Sequence, residues 1–378
     1  MVENTGGVLS YWNLKEFACS KSPKSISEYP LFTDAHVTGE LKEGFEPYYF
    51  INMIATSHNP GDVRESIILR IGWHVKDNRT FGVKTETSKY HGGGLTDEIA
   101  ALVSLKLGIR LKAGDETRIF GGYSDDPLGT PRASVTQPPK LMPRNKQLIL
   151  PSVFKTVNLS ELAELKSLEN VQEKQYVALI RAARLYQDAL WVVESEPALA
   201  WIMLISAIEV AANQQSLEDA TPEKKLEELK PELAKLLIEN GGNKLLSEVA
   251  MEITSSLGAT NKFIKFCLLF MPEPPMERPP EWAQISWSKK SLKKILNKLY
   301  GYRSDALHGG TPFPEPMCRP PEKISKEHGF TEKGSMGLAT HTLGGSWKSD
   351  DIPININIFN YMVNGILNNW CKSLTNIS

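Results

Sequence analysis

Cysteine is scarce and scattered in this sequence. Cys19, Cys267, Cys318 and Cys371 form no CxxC pair, so neither a zinc site nor a disulfide framework is suggested. Free thiols in a reducing cytoplasm are the economical reading. An excess of one charge sign is missing too, since the net charge is −1. Affinity for a polyanion must therefore come from a local cluster of Lys and Arg, not from the total. No long hydrophobic run exists. The most apolar stretch, Pro197 to Ala212, is interrupted by Glu209 and falls short of the about 20 residues that a membrane span needs. Met1 to Ser10 lacks the basic flank and apolar stretch of a signal peptide. The expectation is a cytoplasmic protein without a membrane partner. Also missing are a P-loop, GxGxxG, HExxH and GxSxG, the signatures of common nucleotide, zinc and serine-hydrolase chemistry. His91-Gly92-Gly93-Gly94 reads as a flexible loop before a helix, with a phosphate cradle at its start as the lesser reading.

What is present suits a globular chain with a real core: 41% hydrophobic and 23% charged residues. A length of 378 residues favours two or three domains. The first third has a strand bias. Ile67, Leu69, Ile71, Trp73 and Val75 alternate with Ile68, Arg70, Gly72 and His74, the period of a strand with one buried face. Tyr48 to Ile54 is a second such run. Phe81 to Thr87 is a third, joined to the Ile67 run by a turn at Lys76 to Arg79. A helix follows, with Thr96 as N-cap, Asp97 and Glu98 in its first turn, and Gly108 as its stop. Between Gly121 and Pro151 repeated Pro and Gly exclude any long regular element.

Beyond Val157 the pattern is helical. Segments are expected at Leu159 to Glu169, Gln172 to Val193, Pro197 to Asn213, Pro222 to Glu239, Lys244 to Leu257, Asn261 to Phe270 and Ser288 to His308. A Pro- and Gly-rich excursion runs from Gly309 to Pro353. A last amphipathic stretch carries Phe359, Val363, Ile366 and Trp370, and Ile354 to Ile358 alternates like a strand before it. The expected class is α+β: a strand-rich mixed domain over 1–120, a linker over 121–156, and an all-α bundle over 157–378 with its insertion at 309–353.

The chemistry gathers on the segment Ser288 to His308. Leu292, Ile295, Leu296, Leu299 and Ala306 form its apolar stripe, and Arg303 falls on that stripe. A guanidinium aimed at a core needs an anion unless it reaches water past the end of the stripe. Glu209, the lone charge of its apolar helix, is the candidate partner; its other reading is a carboxylate at the bundle edge. His308 lies five residues after Arg303, roughly 140° around an ideal helix, near Ser304 and Asp305, and Gly309-Gly310 ends the helix beside it. Lys289, Lys290, Lys293, Lys294 and Lys298 run up to the Arg, interleaved with Trp287, Tyr300 and Tyr302. Such a face could track a phosphate backbone, with Lys290, Lys294, Lys298 and Tyr302 as candidate RNA contacts. Its plainer reading is a solvated lysine face.

Tyr302-Arg303-Ser304 with Leu307-His308-Gly309 near the end of a late bundle helix, preceded by a helix reading Leu204-Ile205-Ser206-Ala207-Ile208-Glu209, resembles the HEPN superfamily, and within it the Apea-like branch. The resemblance covers about Leu159 to Leu374. It implies a homodimer that brings two Arg-His pairs into one cleft and cleaves RNA without metal or cofactor, as a toxin or antiviral effector. Arg303 would bind the scissile phosphate and His308 would move protons. Ser304, Asp305 and Glu209 would support them. Ser304 departs from the Asn, Asp or His that often follows the Arg in the superfamily. Two rivals are carried beside this reading: a silent HEPN scaffold that binds RNA or nucleotide or only dimerises, and an unrelated helical adaptor. The first 120 residues carry no motif that assigns them a role.

Overall fold

A computed structural model describes residues 7–53, 59–75, 85–121, 126–143, 146–215, 221–253, 258–325, 327–335 and 344–375. The described elements run α1 (Leu9–Cys19), β1 (Ser25–Thr33), β2 (His36–Thr38), β3 (Tyr48–Asn52), β4 (Arg64–Trp73), α2 (Leu95–Leu107), β5 (Lys112–Ala113), β6 (Arg118–Phe120), β7 (Thr130–Pro131) and β8 (Thr156–Asn158). A 3-10 segment, Leu159–Asn170, leads into α3 (Glu173–Val192), α4 (Pro197–Ala212), α5 (Pro222–Leu229), α6 (Pro231–Ile253), α7 (Ala259–Phe270), α8 (Lys289–His308) and α9 (Ile356–Thr375). The chain is α+β: an antiparallel sheet in the first third, then helices.

The alternation in β4 is expressed as burial. Ile67, Leu69 and Ile71 are fully buried while Ile68 and Arg70 on the other face are half-buried. The sheet order is β3-β4-β1-β6-β7, with β5 also on β1, and every pairing in it is antiparallel. The partners of β4 are thus β1 and β3. The turn at Lys76 to Arg79 and most of the Phe81 run lie outside the described residues, and Thr85 to Thr87 form no strand. From the Pro/Gly-rich stretch β7 joins the sheet edge, and beyond that stretch β8 pairs in parallel with β2.

Several boundaries differ from expectation for local reasons. The N-cap of α2 is Gly94, not Thr96, because the Asp97 carboxylate turns back to accept from Gly94 N–H at 2.9 Å. Gly108, at φ +62°, ends α2 in the left-handed region as its sequence position suggests. Leu159 to Glu169 is a 3-10 segment rather than an α-helix. Its leucines Leu159, Leu162, Leu165 and Leu168 recur every three residues and are all buried, which suits three residues per turn. The two segments expected over Pro222 to Leu257 divide elsewhere: α5 stops before Pro231, and α6 kinks at Gly242, whose φ is +65°. Ile354 to Ile358 is no strand. Asn355 Oδ1 accepts from Ile358 N at 3.0 Å and α9 starts at Ile356.

One buried apolar cluster takes side chains from Val8 through Leu374. Its polar ties cross between the sheet and the helices. Arg110, fully buried after α2, donates to Asp34 at 2.8 Å, to Glu194 at 2.5 Å and to Leu190 O at 2.8 Å. Asn364 and Asn368 of α9 both donate to Leu105 O, a carbonyl in the last turn of α2, at 2.7 and 3.0 Å. The described part of the Gly309 to Pro353 excursion is pinned to the bundle. Phe313, Met317 and Cys318 are buried, and buried Glu332 takes two hydrogen bonds from Arg278 and one from Ile285 N.

Candidate functional site

The helix α8 begins where Ser288 Oγ accepts from Ser291 N at 3.3 Å, an N-cap that satisfies a backbone donor of the first turn. Leu292, Ile295, Leu296, Leu299 and Tyr300 form its buried face against α4 and α7. Near its end that stripe reaches Arg303. The guanidinium Nη2 donates to Glu209 Oε2 of α4 at 2.7 Å, and the Tyr300 hydroxyl donates to Glu209 Oε1 at 2.8 Å. The guanidinium also lies 5.6 Å from the Tyr300 ring centroid. Both charged side chains keep 20% exposure, so the pair sits at the rim and not in the core. Burial, with Glu209 beside it, pushes the Tyr300 hydroxyl up to about 12, so it stays a donor at neutral pH. Arg303 Nε is buried and has no hydrogen-bond partner among the described residues.

His308 is the final residue of α8 and is exposed. Among the described residues its ring makes no hydrogen bond, and it shares no partner with Arg303. Asp305, also exposed, contributes its backbone instead: its carbonyl accepts from Gly309 N at 2.8 Å and from Thr311 N at 3.2 Å, closing the helix end. Ser304 is half-buried. Within one chain, then, Arg303 leans on α4 while His308 stands free at the helix end.

The four candidate RNA contacts separate into two pairs. Lys290 and Lys294 are exposed and carry no salt bridge among the described residues. Lys298 and Tyr302 are already engaged. Lys298 Nζ donates to Asp351 Oδ1 at 2.9 Å and to Asp350 O at 2.6 Å, and the Tyr302 hydroxyl donates to Asp351 O at 2.6 Å. Burial, then the Asp351 and Asp305 charges, push the Tyr302 hydroxyl up to about 12. Lys298 in turn holds the Asp351 carboxyl below its ordinary range.

Sequence reasoning missed Tyr300 and Asp351 as members of this site. Tyr300 had a usable signal, since it lies three residues before Arg303 and so on a shared face. Asp351 had none, because it comes from a segment far along the chain. A cleft of about 680 Å3 lies elsewhere, between Phe154, Lys146, Lys323 and Phe330, and shares no residue with α8. Volume alone does not make it the site, because its charged side chains are exposed and it gathers no buried polar group. Among the described residues no group of three His, Cys, Asp or Glu is placed to hold a metal ion, and no helix is long and apolar enough to cross a membrane. No protein-family model, curated protein or solved structure matches this chain.

Proposed function

We propose that this chain is a metal-independent endoribonuclease of HEPN type that works as a homodimer, in the manner of a defence effector. The observation that carries the reading is Arg303 itself. It is a rim guanidinium oriented by Glu209 and Tyr300, with Nη2 committed to the Glu209 carboxylate. A planar fork held this way suits two oxygens of a phosphodiester. The exposed His308 five residues later supplies an imidazole, a side chain able both to take and to give a proton. A surface for a second copy is offered by α4. Leu199 is 43% exposed, and Ile202, Met203 and Val210 are only half-buried, on a helix whose polar residues are Ser206 and Glu209.

The chemistry follows from RNA carrying its own nucleophile. In the dimer, His308 takes the proton of the 2′-hydroxyl as that oxygen bonds to phosphorus. The bond from phosphorus to the 5′-oxygen breaks, and His308 of the second copy protonates the leaving oxygen. Arg303 offsets the charge that builds on the phosphate oxygens between these events. The products are a 2′,3′-cyclic phosphate and a 5′-hydroxyl.

One observation favours the silent scaffold as a second reading: no side chain among the described residues orients the His308 ring. Incubating total RNA with the purified chain in EDTA and sequencing the new 3′ ends separates the two. The nuclease reading expects cyclic-phosphate ends with wild type and none with His308→Ala at an unchanged melting temperature. RNA left intact by both proteins removes the nuclease reading. Cutting that survives His308→Ala removes it as well.

A further inference from the structure

The polar face of α8 carries Lys290, Lys294, Lys298 and Tyr302 at four-residue steps, which places them along one line. The first two cations are open to water. The last two positions hydrogen-bond to a single short turn, Ser349–Asp351, at the end of the excursion. That turn presents to Lys298 and Tyr302 what an RNA backbone would present: one anionic oxygen and further acceptors around it. We infer that the Ser349–Asp351 turn is an internal anion seated where an RNA phosphate binds, and that incoming RNA must displace it.

The contact is built to be displaceable. The Lys298 and Asp351 side chains are 33% and 43% exposed, so water competes for both, and exposed ion pairs hold weakly. Ser349 and Asp350 are exposed as well, whereas Ile352 and Ile354 directly after them are buried. The turn can therefore lift from α8 while the chain behind it stays packed. Its departure would extend the open lysine line by one cation and one phenol hydroxyl. As to the ligand, the inference rests on the ribonuclease reading; as to the contact that covers α8, it does not.

The test compares Asp351→Asn with Asp350→Asn. Both remove one negative charge from the same turn, but only the Asp351 carboxylate pairs with Lys298; Asp350 offers its backbone oxygen alone. The readout is fluorescence anisotropy of a labelled single-stranded oligouridylate, with melting curves to confirm that each variant is folded. Releasing an exposed pair should tighten binding by about three- to fivefold in Asp351→Asn. The same shift should be absent in Asp350→Asn, and adding Lys298→Ala to Asp351→Asn should abolish the gain. Equal gains in the two Asn variants would reduce the effect to net charge and overturn the inference. An unchanged affinity, or no binding by any of the proteins, overturns it too. Tighter binding by Asp351→Asn without cleavage in any variant keeps the displaced turn and removes the nuclease.

Discussion

At the scale of single residues, the arrangement around Glu209 shows how a rim charge becomes directional. A carboxylate on an otherwise apolar helix must find donors, and it finds two, the Arg303 guanidinium and the Tyr300 hydroxyl. The tyrosine pays for its position in acidity. With an ordinary value near 10 and a folded value of about 12, it keeps its proton in the folded state where the unfolded chain releases it. Its contribution to stability is therefore complete below pH 10 and lost as pH rises through about 12. Tyr29 and Tyr302 are raised to about 12 for similar reasons, so an alkaline loss in the wild type is shared. The difference isolates Tyr300. Urea denaturation at stepped alkaline pH should show Tyr300→Phe losing about 1 kcal/mol less than wild type over this window. Equal alkaline losses would mean that Tyr300 ionises as freely folded as unfolded. Of this group Glu209 and Arg303 were legible, because each is a charge where an apolar residue belongs. Tyr300 read only as an aromatic among lysines, and nothing local to Asp351 pointed at Lys298.

Elements were legible where a long period and a strong stop coincide. Gly108 closes α2, and Pro197 opens α4 at a position where its missing N–H costs nothing. They were less legible where two periods compete, as in the leucines of Leu159–Asn170, whose spacing of three fits a 3-10 turn better than an α-helix. Strand β1 escaped because Pro30 lies in its middle, a residue that normally argues against a central strand. What no local pattern can give is the pairing of elements distant in sequence. Asn364 illustrates it, since the same amide that looks like an ordinary polar residue of α9 donates to Leu105 O of α2 and to the Tyr186 hydroxyl. Asn364→Ala should cost about 1–2 kcal/mol in urea denaturation. Asn368→Ala should cost less, because Leu105 O then keeps the shorter of its two bonds from α9. The reverse order would mean that Asn368 is the main tie between α9 and α2.

At the scale of the molecule, the question is whether the sheet and the helices answer to one another. Proline and glycine between Gly121 and Pro151 mark where regular elements stop, but burial is decided by partners far along the chain. Arg110 is the sharpest case. It follows α2 and carries no exposed surface, and its guanidinium spans Asp34, which follows β1, and Glu194, which follows α3. The Glu194 carboxylate is held as well by Ile149 N and Leu150 N, so the end of the Pro/Gly-rich stretch is tied into the same network. Arg110→Met preserves much of the volume and removes the cation, leaving two buried carboxylates facing each other's charge. Asp34 is the more vulnerable to this loss, because its Oδ1 already lacks a partner among the described residues. The expected cost is about 3–5 kcal/mol. Hydrogen exchange locates it: if sheet and bundle unfold as one body, amide protection in β4 and in α3 should fall together in the variant. Protection lost from β4 alone, with α3 unchanged, would mean that the helices hold themselves without the sheet, and that the Arg110 network joins two bodies able to open independently.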